Sequence, residues 1–141
     1  MPKIIFTNYF HANKLIEGYP DYIVCAISNG IPTHDKVPNL KHIVKLSFFV
    51  PEWREVKNLK DGGAWSDFEN AFMQKLKKDS TEITKWINEI IITDNTYVLC
   101  CWENTSGVAK CHRQILFNWL SMNKKLANLI SIEYRHGNER V

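Results

Sequence analysis

The stretch Cys101-Trp102-Glu103-Asn104-Thr105-Ser106-Gly107-Val108-Ala109-Lys110-Cys111-His112-Arg113 gathers two thiols flanking the loop, a carboxylate, an imidazole and a guanidinium at one strand-loop-helix junction. A thiol can serve as nucleophile, a glutamate as general acid or base, and an arginine as a two-pronged donor to phosphate or carboxylate. If Cys111 opens a helix, the unpaired N–H groups and positive dipole end of the first turn stabilise an anion there. That anion is either the thiolate or a charged group of a substrate, and both compete for one field. The types and spacing mark Cys111, Glu103 and Cys101 as candidate catalytic residues, with His112, Arg113 and Lys110 as candidate ligand-binding residues. A second loop, Ser28-Asn29-Gly30-Ile31-Pro32, adds Ser28 and Asn29, because loops at the carboxyl ends of strands are where α/β folds hold ligands.

Structural readings stand beside these. Cys25 and Cys100 read as small apolar strand residues, and adjacent Cys100 and Cys101 face opposite sides of an extended segment, so they cannot both serve one small site. Arg113 could pair with Glu103 as a latch that pins the loop. Cys101, Glu103, Cys111 and His112 are all zinc-ligand types, but neighbouring Cys111 and His112 rarely reach one ion, and the knuckle spacing of structural zinc sites is missing. Neither a metal nor a cofactor is expected. The phosphate-binding loop, the dinucleotide fingerprint, the Gly-x-Ser-x-Gly elbow and the zinc deaminase signature are all lacking.

The elements that must position these groups follow from periodicity. Lys3–Thr7 and Tyr22–Ile27 read as buried strands, separated by a helical pattern from Asn8 that Gly18 and Pro20 end. Ile43–Phe49 fits a strand or the start of a helix. Pro51 suits a first helical position and Asp61-Gly62-Gly63 breaks that helix. Ser66-Asp67-Phe68-Glu69 has the form of a capping box ahead of Phe68, Phe72 and Leu76, with Met73 beside them. Ile83, Trp86, Ile87, Ile90 and Ile91 form a further helical stripe, read as core. Thr96–Trp102 is a second clear strand, Ile115, Leu116, Trp119 and Leu120 mark a helix, and Leu129–Tyr134 a last strand. Alternating strands and helices predict one α/β domain over residues 1–141, a mainly parallel sheet flanked by helices, with a loosely held tail over 135–141.

The chain has 141 residues, 45% hydrophobic and 23% charged, with a net charge of +3, which suits a single core and argues against disorder or a polybasic mode of binding. Lys75, Lys77, Lys78, Lys85, Lys124 and Lys125 read as solvated helix faces interrupted by acids, so nucleic acid is only weakly indicated as a partner. His11, His34, His42 and His136 fall in no pattern and read as surface or loop residues. No apolar run is long enough to span a bilayer, and the first residues reach a polar break too soon for a signal-peptide core, so a cytoplasmic protein with reduced thiols is expected.

The segment Tyr97-Val98-Leu99-Cys100-Cys101-Trp102-Glu103, followed by Cys111-His112-Arg113 and Trp119-Leu120, resembles the Cys-aromatic-Glu and Cys-His-Arg pattern of the bacterial and phage family catalogued as domain of unknown function 488. Thr7-Asn8-Tyr9-Phe10, the strand ending in Ala26-Ile27-Ser28-Asn29-Gly30-Ile31-Pro32, and the helix from Trp65 to Leu76 are similar to its other blocks, in order, over residues 4–122. The resemblance implies a compact α/β domain and a candidate site at Cys101, Glu103, Cys111, His112 and Arg113. It assigns no reaction. Related sequences tend to carry arginine where this chain has Asn29, and an aromatic residue where it has Lys110.

The leading expectation is a thiol-dependent enzyme, a hydrolase or transferase, acting on an anionic nucleotide-like or nucleic-acid substrate. Its competitors are a protein that binds or sequesters such a ligand without turning it over, and an interaction module anchored by Trp53 and Trp65.

Overall fold

The computed structural model describes residues 1–102 and 110–140. Among these residues five strands, β1 (Lys3–Asn8), β2 (Ile23–Ala26), β3 (Ile43–Lys45), β4 (Thr96–Cys101) and β5 (Ser131–Tyr134), form one sheet in the order β3-β2-β4-β1-β5, with every pairing among them parallel. Among the described residues six helices flank it: α1 (Tyr9–Gly18), α2 (Trp53–Lys60), α3 (Trp65–Lys78), α4 (Ser80–Thr93), α5 (His112–Ser121) and α6 (Lys124–Leu129). The α/β architecture is the one expected.

Strand alternation divides the core into two layers. Ile4, Phe6, Cys25, Ile27, Leu99 and Cys101 enter the layer shared with α3 to α6, whereas Ile5, Val24, Ala26, Val98 and Cys100 enter the layer beneath α1. Cys100 and Cys101 therefore face opposite sides, as their adjacency in a strand requires. Asn8 caps α1, its Oδ1 accepting the His11 N–H at 2.8 Å. Phe68, Phe72 and Leu76 of α3 and Ile83 and Ile90 of α4 are buried, and α4 ends at Asp94 in the left-handed region with φ 54°.

Several local expectations need correction. The N-cap of α3 is Ala64, so Ser66 lies inside the first turn and its run to Glu69 is no capping box. Pro51 precedes the Glu52 N-cap of α2 and stands outside that helix. The ambiguous run splits in two: Ile43–Lys45 pairs with β2, and Ser47–Phe49 then forms one 3₁₀ turn that buries Phe49. His11 is a buried residue of α1 and not a surface one. The chain end is tied back: Arg135 N–H donates to Phe6 O at 2.8 Å, and Gly137, at φ 113°, sits where a Cβ would run into the Asn8 side-chain amide.

Strand order also fixes where a ligand can sit. From β2 the chain passes to β3 on one side, while from β4 it passes through α5 and α6 to β5 on the other. Two adjacent strands whose exits diverge leave a crevice at their carboxyl ends.

Candidate functional site

A cavity of about 380 Å³ occupies that crevice. Its lining includes Ser28, Asn29 and Gly30 after β2, Trp102 after β4, and Lys110, Cys111 and His112 at the start of α5. Pro51, Trp53, Val56, Leu59 and Lys60 of the α2 region, with Trp65 and Phe68 of α3, complete it. Helix α2 buries none of its own residues fully, and its Trp53, Val56 and Leu59, spaced for one helical face, form part of the wall.

The sharpest chemical feature is the pair Cys111–His112. Cys111 is the N-cap of α5, and its N–H donates to Gln114 Oε1 at 3.0 Å, which fixes the first turn. The His112 ring packs edge-on to Phe72, and its Nε2 contacts the carbonyl oxygen of Ile27, at the end of β2. A carbonyl can only accept, so Nε2 carries the hydrogen. In the neutral imidazole the lone pair then belongs to Nδ1, which lies 3.6 Å from Cys111 Sγ. The thiol thus has a proton acceptor beside it, with both side chains on the cavity wall.

A second group of bonds shapes the loop after β2. Ser28 Oγ–H donates to Gly30 O at 2.7 Å, so the 2.5 Å contact with Tyr9 is a bond donated by the buried Tyr9 hydroxyl. Burial also raises the Tyr9 phenol, which stays protonated as that donor. Trp102 Nε1–H gives Gly30 O a further bond at 2.8 Å, and Asn29 Nδ2–H donates to Pro51 O at 3.0 Å. Ser28 and Asn29 are therefore at the cavity, yet their side chains are engaged in holding its rim. Lys110 is exposed, its Nζ 5.6 Å from the centre of the Trp65 ring.

Arg113 and Cys101 occupy a different place from that expected. Arg113 is fully buried and does not line the cavity; Nε–H donates to Tyr134 Oη at 3.1 Å, Nη1 to Cys101 Sγ at 2.9 Å and Thr7 O at 3.3 Å, and Nη2 to His136 O at 2.9 Å. Burial opposes its charge, but the Cys101 and Cys111 sulfurs and Tyr134 more than offset this and raise it above the ordinary guanidinium value. Cys101, also fully buried, is reached by that guanidinium and is no cavity residue. Glu103 lies outside the described residues. Burial pushes the Cys25 thiol up to about 12 and raises Cys100 well above its usual value, which suits two residues of the core. None of the four cysteines is in a disulfide.

Sequence reasoning missed Trp102 and Gly30 as rim elements, and Tyr134 and His136 as partners of Arg113. Gly30 and Trp102 were legible as loop and strand-end residues beside the motifs. The meeting of β5 and the chain end with Arg113 had no local signal.

These features define an all-parallel α/β domain with a cysteine–histidine pair on a cavity at the carboxyl ends of two strands. The chain matches no family model, no curated protein and no solved structure. Among the described residues no helix is long and apolar enough to cross a membrane, and no three His, Cys, Asp or Glu residues converge as a metal site would need.

Proposed function

We propose that the protein is a small cysteine-dependent enzyme, a hydrolase or transferase, acting on a small anionic substrate of nucleotide-like kind. Membership of the family catalogued as domain of unknown function 488 is part of this reading and rests on the Cys101-x-Glu103 and Cys111-His112-Arg113 pattern. The observation that carries it is the bond from His112 to the Ile27 carbonyl, which turns the Nδ1 lone pair toward Cys111. In the reaction Cys111 Sγ attacks the electrophilic centre as its proton passes to His112 Nδ1. The bond to the leaving group breaks, and that group departs with the proton from Nδ1. Water or an acceptor hydroxyl then attacks that group as its proton passes to His112 Nδ1, the bond to sulfur breaks, and the proton returns from Nδ1 to Cys111 Sγ. Cys111 is the nucleophile, His112 its base, and Lys110 a cation at the mouth. Arg113 is a positioning residue, since its described bonds run to Thr7, Cys101, Tyr134 and His136.

The test is incubation with a panel of ribonucleoside and deoxyribonucleoside phosphates, with products separated by chromatography. Turnover by the natural chain that Cys111→Ser and His112→Gln abolish, at unchanged melting temperature, supports the reading. A nucleotide held tightly by the natural chain and recovered intact overturns it in favour of sequestration.

A further inference from the structure

Among the described lining residues the cavity has four aromatic side chains, Trp53, Trp65, Phe68 and Trp102, two ammonium groups, Lys60 and Lys110, and no carboxylate. The ammonium groups sit on the aromatic wall itself: Lys60 Nζ is 5.4 Å from the Trp53 ring centre and Lys110 Nζ 5.6 Å from that of Trp65. Those two ammonium groups favour an anionic ligand. A plain sugar would find few partners, because the Ser28 hydroxyl, the Trp102 indole N–H and the Asn29 amide are already bonded to Gly30 and Pro51. A flat ring can lie on indole faces, and a phosphate monoester, with a charge of about −1.5 to −2, matches two ammonium groups. At about 380 Å³ the cavity is near the lower end of the range for small-ligand sites, enough for one nucleotide and not for a run of them.

We infer that the site takes a single nucleoside monophosphate unit, its base against Trp53 and Trp65 and its phosphate between Lys60 and Lys110, so that α2 is the element that selects the ligand. This rests on the reading above, whose substrate class it makes specific. The phosphate draws each lysine off its indole, and the base takes the vacated face. Cys111 and His112 line the same cavity.

Calorimetric titration of the Cys111→Ser variant with AMP tests this apart from catalysis, since serine is a good helix N-cap and binding does not need the thiol. AMP should bind at least tenfold more tightly than adenosine, ribose phosphate or inorganic phosphate. Placing Trp53→Ala in that background should weaken AMP by roughly 5-fold to 100-fold, the range for loss of one stacking partner, and Lys60→Ala should weaken it through loss of a phosphate contact, with the melting temperature kept because both residues are exposed. If ribose phosphate equals AMP, or Trp53→Ala changes nothing, the base subsite does not exist. Competition by an oligothymidine with a terminal phosphate assigns the same chemistry to a strand end, and its failure assigns it to the free nucleotide. Loss of AMP binding with a reactive Cys111 overturns this inference alone, and binding with an inert Cys111 overturns only the nucleophile.

Discussion

Replacing Arg113 by methionine separates a residue that holds the fold from one that holds a ligand. Methionine keeps much of the length and removes every donor. The substitution takes the donated bonds away from Thr7 O, Tyr134 Oη, His136 O and Cys101 Sγ in a place where Arg113 itself has no exposure. Bonds to a charged donor contribute about 1.5–3 kcal/mol each but are not additive within one network, and breaking a buried charged cluster costs about 3–5 kcal/mol. For 141 residues, an unfolding entropy of about 2.1 cal/mol/K per residue makes 1 kcal/mol worth roughly 3 °C. Arg113→Met should therefore melt about 10–17 °C lower by calorimetry or circular dichroism. Arg113→Lys should recover only part of the loss, because an ammonium cannot reach around the fork of acceptors. A methionine variant that melts with the natural chain and loses only ligand binding would refute the positioning role and return Arg113 to the site.

Two further outcomes follow from burial and backbone geometry. The folded chain holds the Cys25 proton up to about pH 12 against an ordinary thiol value of 9.0, so the unfolded state binds fewer protons between these limits and stability falls as pH rises through them. Urea unfolding at increasing alkaline pH should show a shallower fall for Cys25→Ala than for the natural chain; equal slopes would mean that Cys25 ionises freely in the fold. Gly137→Ala combines a left-handed φ of 113° with a clash at Asn8, the N-cap of α1, and should cost about 1–3 kcal/mol by denaturant unfolding. A neutral result would show that the chain end does not pack on Asn8.

The parts of the fold that were legible in the sequence are those with a repeating pattern. Ile4, Ile5 and Phe6, and Val98 and Leu99, read as buried strands because both faces of a parallel sheet are covered, and the stripes of α3 and α4 read as helices because one face of each packs on the sheet. Short elements were not legible. β3 makes only three ladder pairs before the chain turns at Leu46, and α6 spans six residues, announced only by Asn123, whose side chain caps it by accepting the Leu126 N–H. At the site, the local run Lys110-Cys111-His112 was readable because neighbours in sequence stay neighbours at a helix start. The partner that orients His112, the Ile27 carbonyl, lies 85 residues away in the chain, and the partners that bury Arg113 come from β1, β4, β5 and the chain end. Such convergence is a property of topology and leaves no local trace.

The central claim is that Cys111 and His112 work as a pair, and site-resolved alkylation across pH tests it most directly. Each cysteine of the folded protein is followed by mass spectrometry in the natural chain and in His112→Gln, where the side-chain amide can still donate to Ile27 O but offers no acceptor at the Nδ1 position. Cys111 should react at a pH well below that needed by an ordinary thiol in the natural chain, and at least tenfold more slowly at neutral pH in His112→Gln, while Cys25 and Cys100 stay inert in both. Equal reactivity of Cys111 with and without the imidazole, or a Cys111 as inert as Cys25, would contradict the account.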